Sequence, residues 1–544
     1  MTFSSLPVEC VCSIINELED DRSTLYKCLF VNRFWCKTVA PLLWKQPFEQ
    51  NFEGINKIRT EIVIQSYIIS FNEDEQRLLI PFNVRFSSEF KRPLFDYAIF
   101  LRFYDIDQIK NAVERWIKFS QEPEKKKVAE QENNNMKRIE RILRGDYGIT
   151  RAMTKMIMRL CKNLRTLRLY PSEVNQGFPF YQMFVNANPG LTRLRALHVR
   201  FLNHPDYDQD AFELFQHLPK LCTNLVELDI HFNGYQPNGS IYVDTLTNLI
   251  KNQKNLEILG LFNSGKISPK LFSALKSQKD NLINLMLFCL DFDFIIMEEY
   301  FDFTNLQELH IKWCSKMTLQ HAKYLINSRF HINALLLVEN NISSEVISWI
   351  LAKAGDHLKY LVFDHITEEI IKTLVKKCPN LNSLSITVSK DNYQLIFPWL
   401  TQTNLNQLIF NISEELDTVN DGNLLYYNTR KPDASKVISH LAFNLPNSLK
   451  YLRINCRFNS ESLKDLLINS MNYYLKILII EPFDEFNSDH LNTLADYFVE
   501  YFEENKLKIL GIPSLFTKNE VMFKDVILYM LIEQHVSVFD SDEL

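Results

Sequence analysis

The chain has 544 residues, more than the roughly 250–300 at which one hydrophobic core stops growing, so it must divide into domains or a repeat stack. Apolar residues make up 46% and charged residues 23%, with 12 Gly and 19 Pro. That balance excludes disorder for the chain as a whole and excludes collagen-like or linker-dominated architectures. The formal charge of −6 lacks the basic excess that a general nucleic-acid binder needs to neutralise phosphates.

No apolar run approaches the length needed to cross a bilayer. The start, MTFSSLPVECVCSIINELEDD, has neither the basic region nor the small-residue cleavage pattern of a secretory signal. Ten scattered cysteines without such a signal read as buried free thiols rather than a disulfide framework. The expected location is cytoplasmic or nuclear, with no membrane or nucleic-acid partner.

In chain order, residues 5–48 read SLPVECVCSIINELEDDRSTLYKCLFVNRFWCKTVAPLLWKQPF. Pro7 and Glu9 suit the start of a helix whose apolar face carries Val8, Val11, Ile14, Ile15 and Leu18. Glu19, Asp20 and Asp21 interrupt, and Ser23 is placed to cap a second helix bearing Leu25, Cys28, Leu29 and Val31. Phe34, Trp35 and Val39 then lead to Pro41 and the pair Leu43–Trp44. Three short helices in about 45 residues lie near the lower limit of independent stability, and they carry more apolar surface than so small a core hides.

Residues 49–150 read as a helical spacer. INKIRTEIVIQSYIISF (55–71) and IDQIKNAVERWIKF (106–119) have helical periodicity, and the aromatic segment RPLFDYAIFLRFY (92–104) is expected to pack between them. The polar, charged stretch 120–137 reads as a mobile loop.

From residue 151 to the end a repeat governs the fold. One phrase, an apolar residue, two variable, an apolar, one variable, an apolar, returns as NLRTLRL (163–169), NLVELDI (224–230), NLEILGL (255–261), NLINLML (281–287), NLQELHI (305–311), NLNSLSI (380–386) and NLNQLIF (404–410). Weaker copies at 193–199, 331–337, 357–363, 448–454, 474–480 and 506–512 bring the count to thirteen. The first anchors recur about every 29 residues on average. The last half of the phrase alternates with the period of a strand. Helical patterns at 268–278, 318–328, 343–355 and 367–378, each opening on Ser or Thr, lie between copies. Neither element buries its apolar face alone, whereas stacked neighbours do. The expected fold is therefore α/β, a solenoid with a concave parallel sheet and convex helices. It holds an irregular insertion at 413–435.

The repeat resembles the leucine-rich-repeat family. The first module resembles an F-box, on Leu6, Pro7 and Glu9, on Ile14, Ile15 and Leu18, on Val31, Asn32, Arg33 and Trp35, and on Leu43 and Trp44. Asn32 stands where the family more often has Cys. A small helical cap that only seals the repeats is the other reading of this module. The combined resemblance implies a substrate-recognition subunit of a Skp–cullin–F-box (SCF) ubiquitin ligase in the ubiquitin-conjugation pathway. Its adaptor-binding residues would be Leu6, Pro7, Glu9, Ile14, Ile15, Leu18, Leu29, Val31, Trp35 and Trp44. Its partners would be a Skp-type adaptor, through it a cullin–RING core, and a protein client. The alternative is a non-ligase interaction scaffold with an F-box-like cap.

Client binding falls to the concave positions, which project from the strands between and beside the buried anchors. Thr166, Arg168, Tyr170, His198, Arg200, Glu227, Asp229 and His231 make its start charged. Its middle is apolar, and Ile258, Phe262, Met286, Phe288, His310, Leu336, Val338, Tyr360 and Val362 are the candidate substrate-binding residues. The same apolar residues would be core if the curve were tight or a loop covered them. Gly260 to Lys266 matches GxxxxGK, but Ile267 stands where a phosphate-binding loop needs Ser or Thr. No CxxC, HExxH or GxSxG motif occurs. The expectation is no enzyme activity, no metal and no cofactor.

Overall fold

A computed structural model of the chain describes residues 7–19, 21–48, 60–80, 93–120, 135–170, 183–184, 191–202, 208–233, 240–265, 269–295, 301, 303–326, 331–364, 366–389, 392–413, 433–470, 475–481, 488–500, 507, 509–512 and 537–540. Leu6, most of the charged stretch 120–137 and most of the insertion 413–435 lie outside the described residues. The chain divides into two compact units, residues 1–263 with 270–278 and residues 264–269 with 279–544.

The first unit opens with three helices, α1 (Val8–Glu17), α2 (Arg22–Cys28) and α3 (Arg33–Leu43). Val11, Ile15, Leu25, Cys28, Val39 and Leu43 form their common core. The cap of α2 is Asp21, not Ser23: its carboxylate accepts from the Thr24 amide at 2.9 Å. Asn32 caps α3 by accepting from the Trp35 amide at 3.0 Å, which gives this residue a local structural role.

Beyond the module come α4 (Thr60–Ile68), α5 (Glu73–Arg77), α6 (Ile106–Ser120) and α7 (Asn135–Leu160). The segment 49–150 is not wholly helical. Strand β1 (Phe103–Asp105) lies within it and pairs in parallel with β2 (Thr166–Leu169). The boundary read at 150/151 falls inside α7. The sheet of this unit continues through β3 (Ala196–Leu202), β4 (Glu227–Asn233) and β5 (Ile258–Gly265), each parallel to the one before. Helices α8 (Asp208–Leu221) and α9 (Ser240–Lys251) connect the later strands, and α10 (Pro269–Ser273) runs into a short 3-10 turn.

Among the described residues of the second unit, ten parallel strands succeed one another. They are β6 (Asn284–Leu290), β7 (Glu308–Lys312), β8 (Ala334–Val338), β9 (Tyr360–Phe363), β10 (Ser383–Ser389), β11 (Gln407–Ser413), β12 (Tyr451–Asn455), β13 (Ile477–Ile480), β14 (Ile509–Ile512) and β15 (Ser537–Asp540). Helices lie between most of them: α11 (Leu319–Leu325), α12 (Ser344–Ala354), α13 (Glu368–Lys377), α14 (Phe397–Leu400), α15 (Ser435–Ala442), α16 (Ser460–Ser470) and α17 (Ser488–Glu500). Thr318 and Thr367 cap α11 and α13 with their hydroxyls, as their positions in the sequence require. The architecture is thus α/β with parallel strands in chain order.

All thirteen copies of the leucine phrase are strands β2–β14, and all thirteen first anchors, from Leu164 to Leu507, are buried. Burial alternates along β6, β7 and β8, so the later leucines face the helices and the variable residues share the opposite face. The cysteines are not scattered at random. Cys161, Cys222 and Cys378 each sit three residues before an anchor, and each thiol donates to a main-chain carbonyl of the preceding repeat, Leu101, Leu191 and Leu351. Burial pushes the Cys222 and Cys378 thiols up to about 12, which keeps them protonated as donors. Gln253 does the same work with an amide, donating to the Cys222 and Leu249 carbonyls and accepting from the Leu225 amide.

Candidate functional site

Two surfaces stand out, one on the helical module and one on the strand face. On the module, Pro7, Glu9, Ile14 and Val31 of the expected adaptor-binding set are exposed. Leu18, Leu29 and Trp35 are half-buried against the module's own core, and Ile15 is fully buried within it. A fully buried Ile15 supports the surface from below instead of forming it.

Trp44 faces inward as well. Its ring stacks on Tyr97 with centroids 3.8 Å apart, and Tyr67 lies 5.7 Å away. The Lys45 carbonyl beside it accepts from the Arg102 and Phe103 amides, and Arg22 donates to the carbonyls of Leu43 and Gln46. The last turn of the module is therefore fastened to the chain that enters β1. Sequence reasoning left out four outward apolar residues, Val8, Tyr26, Phe30 and Phe34. Phe30 is 73% exposed and Val31 58%, with the Tyr26 ring edge-on to Phe30 at 5.4 Å. Val8 is in helical phase with Val11 and Ile15 yet is exposed at the first residue of α1, whereas Tyr26 falls outside the stripe of Leu25 and Cys28.

The strand face falls into each unit separately. In the second unit the register places Met286, His310, Leu336 and Val362 side by side on β6–β9. Phe288 and Val338 flank Lys312 in the next row, and Tyr360 lies in the row of Glu308 and Ala334, which continues to Ser383. All are half-buried except Tyr360, which is exposed. Burial lowers the affinity of His310 for a proton, and Glu308 opposes this in part. At the ends of β6–β8 three successive non-glycine residues, Cys289, Trp313 and Glu339, take left-handed backbone angles, and Lys312 lies over the Trp313 ring at 4.0 Å.

In the first unit Ile258 and Phe262 are half-buried on β5 and border a polar cluster. Phe262 stacks on His231 with ring centroids 3.8 Å apart and planes 5° apart. His231 shares a hydrogen bond of 2.7 Å with the Tyr170 hydroxyl, and burial with the nearby Arg200 charge lowers its pKa to about 4. The Arg200 guanidinium lies over the Tyr170 ring at 4.8 Å. One rung away, His198 Nδ1 is 2.8 Å from Asp229 Oδ2, and Arg168 pairs with Asp105 at 3.6 Å.

Asp105 belongs to this cluster because of β1, which sequence reasoning missed. The signal was there: Leu101, Tyr104 and Ile106 keep the spacing of the repeat phrase, with Tyr in place of the middle leucine, and all three are buried. Gly260 lies in β5 as a packing position, not in a phosphate-binding loop. A Cβ there would come within 2.4 Å of Asp229 Oδ1. No helix among the described residues is long and apolar enough to cross a membrane. No family model matches the chain, and no curated protein matches it either.

Proposed function

We propose that this chain is a substrate receptor of an SCF-type ubiquitin ligase, with residues 5–48 as an F-box that docks on a Skp-type adaptor and the leucine-rich strand face as the seat of a protein client. The observation that carries the reading is the set of outward apolar side chains on a module whose core is already closed. Val8, Ile14, Tyr26, Phe30, Val31 and Phe34 all stay exposed over Val11, Ile15, Leu25, Val39 and Leu43. Surface of that kind on so small a module marks a partner site.

The division of labour needs no catalysis in this chain. A client held at one place and a ligase core at another meet at an effective concentration of about millimolar for short tethers. The parallel rows Met286–His310–Leu336–Val362 and Phe288–Lys312–Val338 offer a largely apolar contact of the kind found at an interface centre, with the charge of Lys312 set into it.

Co-expression with a Skp-type adaptor tests the reading. The wild type should co-purify with it, and Phe30→Glu with Val31→Glu should abolish the complex, because both side chains are outward and the substitution spares the core. A folded double variant that still co-purifies defeats the docking assignment. A second reading, a scaffold whose helical module only caps the repeats, draws on the Trp44–Tyr97 stack and the Lys45 carbonyl bonds that fasten the module in place. It predicts no adaptor binding by the wild type.

A further inference from the structure

On the reading of the second unit's strand face as the seat of a client, we propose what that client presents. It is a short extended segment of about six residues, apolar at alternate positions and carrying a Lys or Arg, laid across β6–β9.

The apolar ground is bounded. Met286, Leu336 and Val362 share one row with His310, and Phe288 and Val338 share the next with Lys312. Two aromatic side chains at its corners stay open to solvent, Tyr360 at 48% and Trp313 at 44% exposed. Past β9 the same face turns polar, with Ser383, Ser385 and Thr387 outward on β10. Four strands at a spacing of about 4.8 Å and two rows about 7 Å apart enclose roughly 300 Å².

That area selects the kind of occupant. A folded partner or a second copy of this chain buries about 800 Å² on each side of a stable interface, so this patch alone seats neither. An extended peptide advances about 3.3 Å per residue, and about six residues cross the four strands. Every second side chain then points down onto the rows.

The sign of the occupant's charge follows from the acids at the edges. Glu308 lies in the row of Tyr360, and Asp364 directly follows Phe363, the register partner of Leu337. The Glu339 amide donates to Asp364 Oδ2, which sets these two acidic residues side by side. Against three carboxylates stands one ammonium, Lys312, lying over the Trp313 ring at 4.0 Å. Burial lowers the pKa of His310, so it adds no charge at neutral pH. Burial raises the pKa of Glu339, Lys312 offsets part of that rise, and Asp364 adds to it. A client ammonium or guanidinium placed beside Glu339 and Asp364 relieves their repulsion, and an apolar surface around it strengthens the attraction.

The test selects random seven-residue peptides displayed on phage against the full chain, then measures the enriched sequences as labelled peptides by fluorescence anisotropy. Enriched peptides should carry apolar residues at alternate positions with at least one Lys or Arg, and changing that residue to Glu should weaken binding at least tenfold. Leu336→Ser should weaken the selected peptides at least tenfold. Glu339→Gln, an isosteric change at a half-buried position, should weaken them at least threefold with the melting temperature unchanged, and it decides the matter if Leu336→Ser fails to fold. Enrichment of acidic peptides, no enrichment at all, or equal binding by wild type and both variants overturns the proposal. So does a dimer in sedimentation velocity that Leu336→Ser disperses, because a second copy then occupies the face. Adaptor co-purification with a failed selection refutes this peptide assignment and leaves the ligase reading standing, whereas selected peptides without adaptor co-purification refute the ligase reading alone.

Discussion

Gln253 offers the sharpest test of how successive repeats are joined. Its side chain is buried and makes three hydrogen bonds, donating to the Cys222 carbonyl at 2.7 Å and the Leu249 carbonyl at 2.8 Å and accepting from the Leu225 amide at 2.9 Å. Gln253→Met keeps the length and approximate volume of the side chain but removes all three. Each stranded buried polar group costs about 1–3 kcal/mol. The Leu225 N–H loses its partner outright, whereas each carbonyl keeps a second lone pair for other donors. Counting the amide in full and the two carbonyls in part gives about 3 kcal/mol. Urea denaturation followed by far-UV circular dichroism reads this as a midpoint shift at constant slope. Gln307→Met, at an exposed position on the other unit, is the control and should change stability by less than about 0.5 kcal/mol. A Gln253→Met variant as stable as the control would refute the claim that these side chains satisfy the backbone between repeats.

The remaining predictions concern ion pairing and pH. Arg159 grips the fully buried Glu75 through two bonds of 2.8 and 2.9 Å, so Arg159→Met should cost about 3 kcal/mol, the low end for stranding a buried charge because Arg159 itself is partly exposed. Glu75→Leu in the Arg159→Met background should recover part of that loss in the same urea assay, and a further loss would refute the pairing argument. His310 binds its proton more weakly in the folded chain than in the unfolded one, owing to burial. Its contribution is therefore complete above the unfolded pKa of about 6.5 and is lost as the pH falls below it. The wild type should lose more melting temperature between pH 7.5 and 5.5 than His310→Gln, and equal losses would refute the assignment.

The strands were legible because a period-two apolar pattern at fixed recurrence admits one local solution. Each copy from Leu164 to Leu507 buried its anchor and became a strand. The first strand escaped notice because Tyr104 fills the leucine slot, which a reading based on leucine spacing passes over even though the phenol packs there and bonds Thr154 at 2.7 Å. The cysteines looked scattered for a related reason. For Cys161, Cys222 and Cys378 the meaning lies in an offset of three from the next anchor, visible once each thiol is seen to donate to the neighbouring repeat. On the module, the stripe of Val11 and Ile15 was plain in the sequence, but the inward turn of Trp44 onto Tyr97 was not, since that contact joins residues 53 apart in a segment without periodicity.

Sequence alone determined the repeating strand, its buried leucines, the helix caps at Thr318 and Thr367 and the set of variable residues that share a face, because each follows from the geometry of a few neighbouring residues. Tertiary structure alone decided which variable residues meet. His198 finds Asp229 across 31 positions, Tyr170 finds His231 across 61, and Gly260 leaves space for a carboxylate one strand away. The register itself repeats the phrase, with Leu167 beside Leu197, Leu228 and Leu259 whatever the length of the connection, but which side chain reaches which neighbour depends on rotamers and close packing across strands, which a local pattern does not fix.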